Sequence, residues 1–492
     1  MEKMYFKVNK NLLIVYAFIF CFWESNAQNI IWNPNVKIAD RVYQQYLGSL
    51  GRQQYCLGSN IKMTTDDKDS LYPAPAWKKL KLTMFRYDEK FNLIDTVPIR
   101  FFQFPLRYFN ATLNDSVISL YYSKGFTSPM LCVDIFDHNG FYKESKTLLS
   151  SNEVPGYLIK RYFNIFFSPD QKNIVAFSND SISCYTKKWE VVWKVAFKTA
   201  KFITGIAADD FTFCAVVKVE KENCLLTVNT NGTIKVKKLP AEKPENTEYR
   251  LLKKNDKIYC ISLYGITDKT FKPEYDKISS RPRFRSNGIE ISTFVGDDHI
   301  QQTKHIPFTD ETLLASVERM LIQNIKGIDF VHLTQVSISD DDALLMLLSK
   351  EYDEPTPARI IQGSKVEIEG RLNRYQEIIV IKCNDDGKNY QNVIKRKVEG
   401  NNDVEYLYNV KGIPSKGDFF VYYQDGNNEI DLKLNQLVYN KDLRLIFAKK
   451  INLVEAKKTG LNLESIKRVD NANYIVFGRS AKKFSSALLD FK

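Results

Sequence analysis

Histidine is scarce in this 492-residue chain: His138, His299, His305 and His332 are the only four. None forms an H-x-H or an i, i+4 pair, so no histidine-based metal site is indicated. The sequence also lacks a G-x-S-x-G elbow, an H-E-x-x-H helix and a glycine-rich phosphate loop, which removes the common hydrolase, metalloprotease and nucleotide-binding signatures. With 16 prolines and 21 glycines there is no collagen-like, proline-rich or linker-like tract. Cysteines are eight, widely spaced and without a C-x-x-C, so neither a disulfide framework nor a zinc site is expected. Beyond the N-terminus no apolar run approaches the roughly 20 residues of a membrane helix.

The first 27 residues read as a leader. Lys3, Lys7 and Lys10 precede an apolar run from Leu12 to Trp23, and Ser25-Asn26-Ala27 supplies small residues before Gln28. This is the pattern of a secretory signal peptide cleaved after Ala27. A lipoprotein reading through Cys21 is disfavoured by the bulky Phe18-Ile19-Phe20 before it. The expected location is therefore secreted, periplasmic or at the cell envelope, with no transmembrane segment in the mature chain. Seven cysteines remain after processing, and Cys132, Cys184, Cys214 and Cys260 sit within apolar strand patterns as small hydrophobes. Cys214 and Cys224 fall on neighbouring antiparallel strands, which leaves a bridge between them open. The formal charge of +12 is spread along the chain. Solvated loops and strand edges account for it, and export argues against a nucleic-acid partner.

What the chain has is repetition. Aromatic residues make up 13%, with 27 Tyr and 32 Phe, and favour strands. A polar turn followed by an apolar strand recurs at roughly 40 to 55 residues, a spacing that points to a propeller. The clearest second strands are Val117–Tyr122, Ile174–Ser178, Phe211–Val217, Ile258–Leu263, Ala343–Leu348, Phe419–Tyr423 and Tyr474–Phe477. A weaker copy lies at Tyr55–Thr65. Hairpins turn at Asp88-Glu89-Lys90, Asp137-His138-Asn139-Gly140, Asn229-Thr230-Asn231-Gly232, Asn384-Asp385-Asp386-Gly387 and Asn440-Lys441-Asp442. The expected fold is all-β: one domain over residues 28–492, a β-propeller of seven or eight four-stranded blades, with eight favoured. Asn29-Ile30-Ile31-Trp32 is a candidate to complete the last blade beside Ala487–Phe491.

Three stretches break the rhythm. Residues 309–325 place Leu313, Leu314, Val317, Leu321 and Ile325 on one helical face and read as a short helical insertion between blades. Tyr352–Leu372, with Pro355 and Pro357, reads as a long loop within one blade. Asp268–Asn287, basic at Arg281, Arg283 and Arg285, reads as irregular.

The segment Phe167-Ser168-Pro169-Asp170-Gln171-Lys172 resembles the Ser-Pro-Asp-Gly-Lys turn of WD-repeat and TolB-type propellers, with Gln171 where glycine is usual. Ile378–Lys397, with its Asp-Asp-Gly turn, and the Ala-Gln leader junction resemble exported propeller-like proteins of the Bacteroidota style. The resemblance implies a fold and a compartment, not a reaction.

Acidic runs at Asp340-Asp341-Asp342 and Asp385-Asp386, and Asp66, Asp67 and Asp69, lack the alternating spacing of a calcium loop and read as turns, so no metal and no cofactor are expected. The functional expectation is a monomeric, non-enzymatic exported protein binding a protein, peptide or glycan, without nucleic acid. Long excursions from a rigid ring are where ligands meet a propeller. The candidate binding residues are accordingly Trp77, Tyr108, Arg281, Arg283 and Tyr352. The alternative is a carbohydrate- or peptide-acting hydrolase or lyase with carboxylates in the central channel.

Overall fold

The computed structural model describes residues 29–32, 36–37, 43–59, 81–99, 107–125, 129–150, 163–178, 180–199, 201–239, 245–268, 283–296, 299–316, 327–329, 331–355, 359–360, 367–368, 371–400, 409–426, 432–453, 460–470, 473–479 and 483–490. The chain is all-β, with eight four-stranded antiparallel blades in a ring. Blades 1 to 7 each use four consecutive main strands, beginning at Tyr43, Arg107, Asn164, Lys201, Glu245, Val331 and Val410. Blade 8 takes its first three strands from Leu461–Arg468, Asn473–Arg479 and Lys483–Asp490. Its fourth is Asn29–Trp32, from the other end of the chain. There Asn29 faces Asp490 and Trp32 faces Ala487.

The core is a set of layers between neighbouring blades. Each second strand is buried on both faces, because one face packs on the blade before it and the other on the blade after. In Asn173–Phe177 every residue is buried. Ile174 and Ala176 join Tyr121, Val133 and Ile135 of blade 2, whereas Val175 and Phe177 join Phe213, Ala215 and Val217 of blade 4. Such layers run round the ring. The closing one packs Tyr46, Phe85, Tyr87 and Phe91 of blade 1 on Ile475 and Phe477 of blade 8. Outer strands carry lysines, as in Ile234–Lys238 and Leu445–Asn452, and this charge blunts edge-to-edge pairing with other chains.

The turns repeat with their chemistry. Between third and fourth strands, the fourth turn residue adopts a positive φ: glycine at Gly140, Gly232 and Gly387, but Phe91, Trp189 and Leu443 elsewhere. Asp88, Asp137 and Asn440 start their turns by accepting two backbone N–H groups each on Oδ1. In the Ser168–Asn173 turn, the Ser168 hydroxyl donates to Asp170 at 2.6 Å and accepts from the Asn173 amide at 3.0 Å. Gln171 holds the left-handed position with φ 58°. Ser339–Ala343 is a second copy, with Asp341 and Asp342 in the equivalent places.

Two expectations are corrected, and the open question of a Cys214–Cys224 bridge is answered. Tyr352–Leu372 is not all loop: strands Leu344–Pro355 and Arg371–Cys383 extend into it, with a small hairpin of Arg359–Ile360 and Glu367–Ile368 between them. Likewise Asp268 and residues 283–287, the two ends of the Asp268–Asn287 stretch, belong to the paired strands Lys257–Asp268 and Arg283–Val295, while residues 269–282 lie outside the described residues. The sequence there, as in Glu351-Tyr352-Asp353-Glu354-Pro355, lacks the apolar alternation of the ring strands although the backbone stays paired. Cys214 and Cys224 do not bridge: Cys214 lies opposite Thr227 and Cys224 opposite Val217, and each packs into a different interblade layer. Helix α1 (Asp310–Ser316) lies within the stretch 309–325 read as helical, of which residues 317–325 lie outside the described residues. The Thr309 hydroxyl caps it by accepting the Thr312 amide, and Gln391 of blade 6 ties down its first turn.

Candidate functional site

Meander topology sorts the connections onto two faces of the ring. The 1–2 and 3–4 turns emerge on one face, and the 2–3 connections and blade-to-blade crossovers on the other. The extended arms of blades 5 and 6 project from the second face. Arg283 and Tyr352 stand on these arms, paired in register with Asp268 and Arg374. Tyr108 lies near the same face, on the inner strand of blade 2. It is only 4% exposed, and its hydroxyl donates to Gln45 at 3.1 Å. Burial pushes its phenol well above the ordinary range, so it serves packing between blades 1 and 2. Trp77 and Arg281 lie outside the described residues.

The eight inner strands surround the axis. Each ends its sheet, and among the described residues no strand pairs with its second edge. Side chains clamp several of these strands to the next blade. Gln335 donates to Gly412 O at 2.8 Å and accepts from Gly412 N at 3.1 Å. Gln424 does the same with Leu461, at 2.6 and 2.8 Å. Glu248 accepts the Leu333 amide at 2.7 Å and pairs with His332 at 2.6 Å. Gln45 donates to Ala111 O at 3.0 Å. Bidentate bonds of this kind fix strand against strand and hold the channel walls in place.

On the turn face the channel opens into a cavity of about 630 Å³. Its apolar wall is Ile165, Phe166 and Phe167 of blade 3, Gly205, Ile206 and Ala207 of blade 4, and Leu251 and Leu252 of blade 5. Polar groups are few: Asn110, Asp209, Asp210, Lys253, Asn255 and, from blade 8 across the axis, Lys467. Lys253 is neutralised, since its ammonium reaches Asp210 and the Thr212 hydroxyl, both at 2.6 Å. Burial works against the ionised Asp210 carboxyl, yet Lys253 and Thr212 hold its pKa below the ordinary value. Asp209 accepts the Asp170 amide at 3.0 Å, and Asn173 donates to Ala208 O and Asp209 O at 2.9 Å, fixing the rim. The Lys467 ammonium has no ion pair or side-chain hydrogen bond among the described residues. It is open to solvent along the channel but enclosed by the walls, and that enclosure lowers its pKa.

Other polar clusters are spent on structure. Asp340 accepts the Gly417 amide at 3.2 Å, Asp341 pairs with Lys382 at 2.6 Å, and Asp342 pairs with Lys254. The three carboxylates thus point to three partners rather than converge on a cation. His305 pairs with Glu290 at 2.8 Å beneath the Tyr264 ring. Among the described residues no three His, Cys, Asp or Glu side chains are grouped to hold a metal. A 460 Å³ cleft between blades 5 and 6 is crossed by Lys304, which donates to Asp385 O at 2.7 Å. No helix of the described residues is long and apolar enough to cross a membrane.

No family model and no curated protein matches the chain. Its structural neighbours are propellers of the WD40 and TolB types. Sqt1 of Chaetomium thermophilum, solved bound to the N-terminus of ribosomal protein L10, is 11% identical with a TM-score of 0.39, over 92% of this chain and 97% of that one. TolB from Acinetobacter baumannii is 12% identical with a TM-score of 0.28, over 80% and 78%. Virginiamycin B lyase from Staphylococcus aureus is 10% identical with a TM-score of 0.35, over 78% and 94%. The likeness is one of fold.

Lys467 was not legible as a site residue. Ile466-Lys467-Arg468 reads as an ordinary strand end, and only ring closure brings it across the axis from Phe167 and Ile206.

Proposed function

We propose that this protein is a non-enzymatic binding propeller, exported by the leader read in residues 1–27, which receives a peptide segment at the axial mouth on its turn face. The observation that carries this is the wall of the 630 Å³ cavity: inner strands of blades 3 to 5, each with one edge that no strand pairs among the described residues, interleaved with apolar side chains. An extended peptide matches both features. Its amide groups pair with open strand edges, and its side chains enter apolar gaps. A glycan, dense in hydroxyls, would leave many of them unmatched against Ile165, Phe166, Phe167 and Ile206. The cavity lies within the size range of pockets that bury small ligands.

The test is selection from a randomised peptide library on the 28–492 protein, followed by titration of the selected peptides. Ala208→Trp, which fills the lining, should abolish binding, while Tyr352→Ala and Arg283→Ala on the opposite face should leave it intact. The reverse pattern would move the site to the arms and sink the proposal.

A further inference from the structure

The axial site has a polarity. We infer that Lys467 anchors the carboxyl terminus of the bound peptide, so that the protein captures free C-terminal ends rather than internal segments. This rests on the peptide-binding reading above and deepens it. A cavity of about 630 Å³ has room for a handful of residues, so what enters it is the end of a chain. The two ends differ in charge, and the cavity discriminates between them. Lys253 is already matched by Asp210, whereas the ammonium of Lys467 has no counter-charge among the described residues. A terminal ammonium would be repelled there, and a terminal carboxylate gains a charge-assisted bond in an enclosed, apolar-walled space. The walls that lower the Lys467 pKa disfavour its charged form, and an anion placed beside the ammonium favours it. On the rim Asp210 is matched by Lys253, and Asp209 disfavours acidic side chains at the entrance.

The experiment compares two randomised hexapeptide libraries, one with free carboxyl termini and one amidated, on wild type, Lys467→Gln and Lys467→Arg. The expected result is preferential retention of free-acid peptides. Amidation of a selected peptide should weaken its binding about tenfold to a hundredfold, the range for a hydrogen bond to a charged group. Lys467→Gln should cost the same for the free acid and nothing further for the amide, Lys467→Arg should keep most of the preference, and thermal melting should be unchanged in both variants. Equal binding of acid and amide, or wild-type affinity in Lys467→Gln, would overturn the anchor while leaving the axial site standing. Selected peptides that tolerate amidation but require an internal Asp or Glu would overturn the terminal assignment. Retention of neither library would overturn the peptide reading itself.

Discussion

Replacing Lys382 tests how the blades are joined. Lys382, on the third strand of blade 6, is 3% exposed, and its ammonium donates to Asp341 at 2.6 Å and to Lys441 O of blade 7 at 2.9 Å. Breaking a fully buried pair costs about 3–5 kcal/mol, but the Asp341 side chain is 46% exposed and can rehydrate. Lys382→Met keeps the apolar stem and should cost about 1–2 kcal/mol, chiefly from the orphaned Lys441 carbonyl. Lys382→Ala also loses buried methylenes, and should cost about 3–4 kcal/mol in all. A chain of this size unfolds with roughly 1 kcal/mol/K of entropy, so melting shifts would be only a few degrees; urea titration reads the difference better. A pH arm sharpens the test. Burial opposes ionisation of Asp341, yet Lys382 and the Ser339 hydroxyl hold its pKa below the ordinary carboxylate value. The stabilisation is therefore complete above the unfolded carboxylate pKa of about 4, and disappears as the pH falls through the lower folded value. Lys382→Met should flatten that part of the stability profile. A Lys382→Met protein within about 0.5 kcal/mol of wild type, with the acid slope intact, would refute the reasoning.

Three further outcomes are expected. Gly412→Ala should destabilise by about 1–3 kcal/mol in urea titration, because a Cβ there would come within 2.4 Å of Phe419 and 2.8 Å of Leu347 while Gln335 holds the backbone in place. Gln171→Gly should stabilise slightly, by about 0.5–1 kcal/mol in the same assay, since relief of the φ of 58° outweighs the added freedom of the unfolded chain; a loss would show that Gln171 contributes a contact. Starting the chain at residue 38 removes Asn29–Trp32 and Val36–Lys37, the two N-terminal strands on the outer edge of Lys483–Asp490, and should lower stability and promote concentration-dependent association on size-exclusion chromatography through the bared edge.

The eight second strands were legible because burial on both faces writes a nearly continuous apolar run after a polar turn. Tyr55–Thr65, the weak copy, is real as Gln53–Ser59, and Asn29–Trp32 does complete blade 8. Boundaries failed where strands leave the ring. Past Tyr264 and Lys350 the residues lose apolar alternation, as in Thr267-Asp268 and Glu351-Tyr352-Asp353-Glu354-Pro355, so Lys257–Asp268 and Leu344–Pro355 look like loops in sequence while remaining paired. The positive φ at Phe91, Trp189 and Leu443 was equally hidden, because the turn geometry tolerates side chains in a place where glycine advertises it. The channel was the least legible part. Phe167, Ile206, Leu252 and Lys467 come from four blades, and no local pattern distinguishes a strand end beside the axis from one beside solvent.

The join between Asn29–Trp32 and Lys483–Asp490 also has a mechanical consequence. Because the pair is antiparallel with Asn29 opposite Asp490, both ends of the chain leave the same end of the ladder. A force pulling the termini apart loads the hydrogen bonds one at a time, as a zip, rather than all together in shear. The ring should therefore have a weak seam: in a single-molecule pulling experiment it would open at blade 8 at low force, with the other blades still folded.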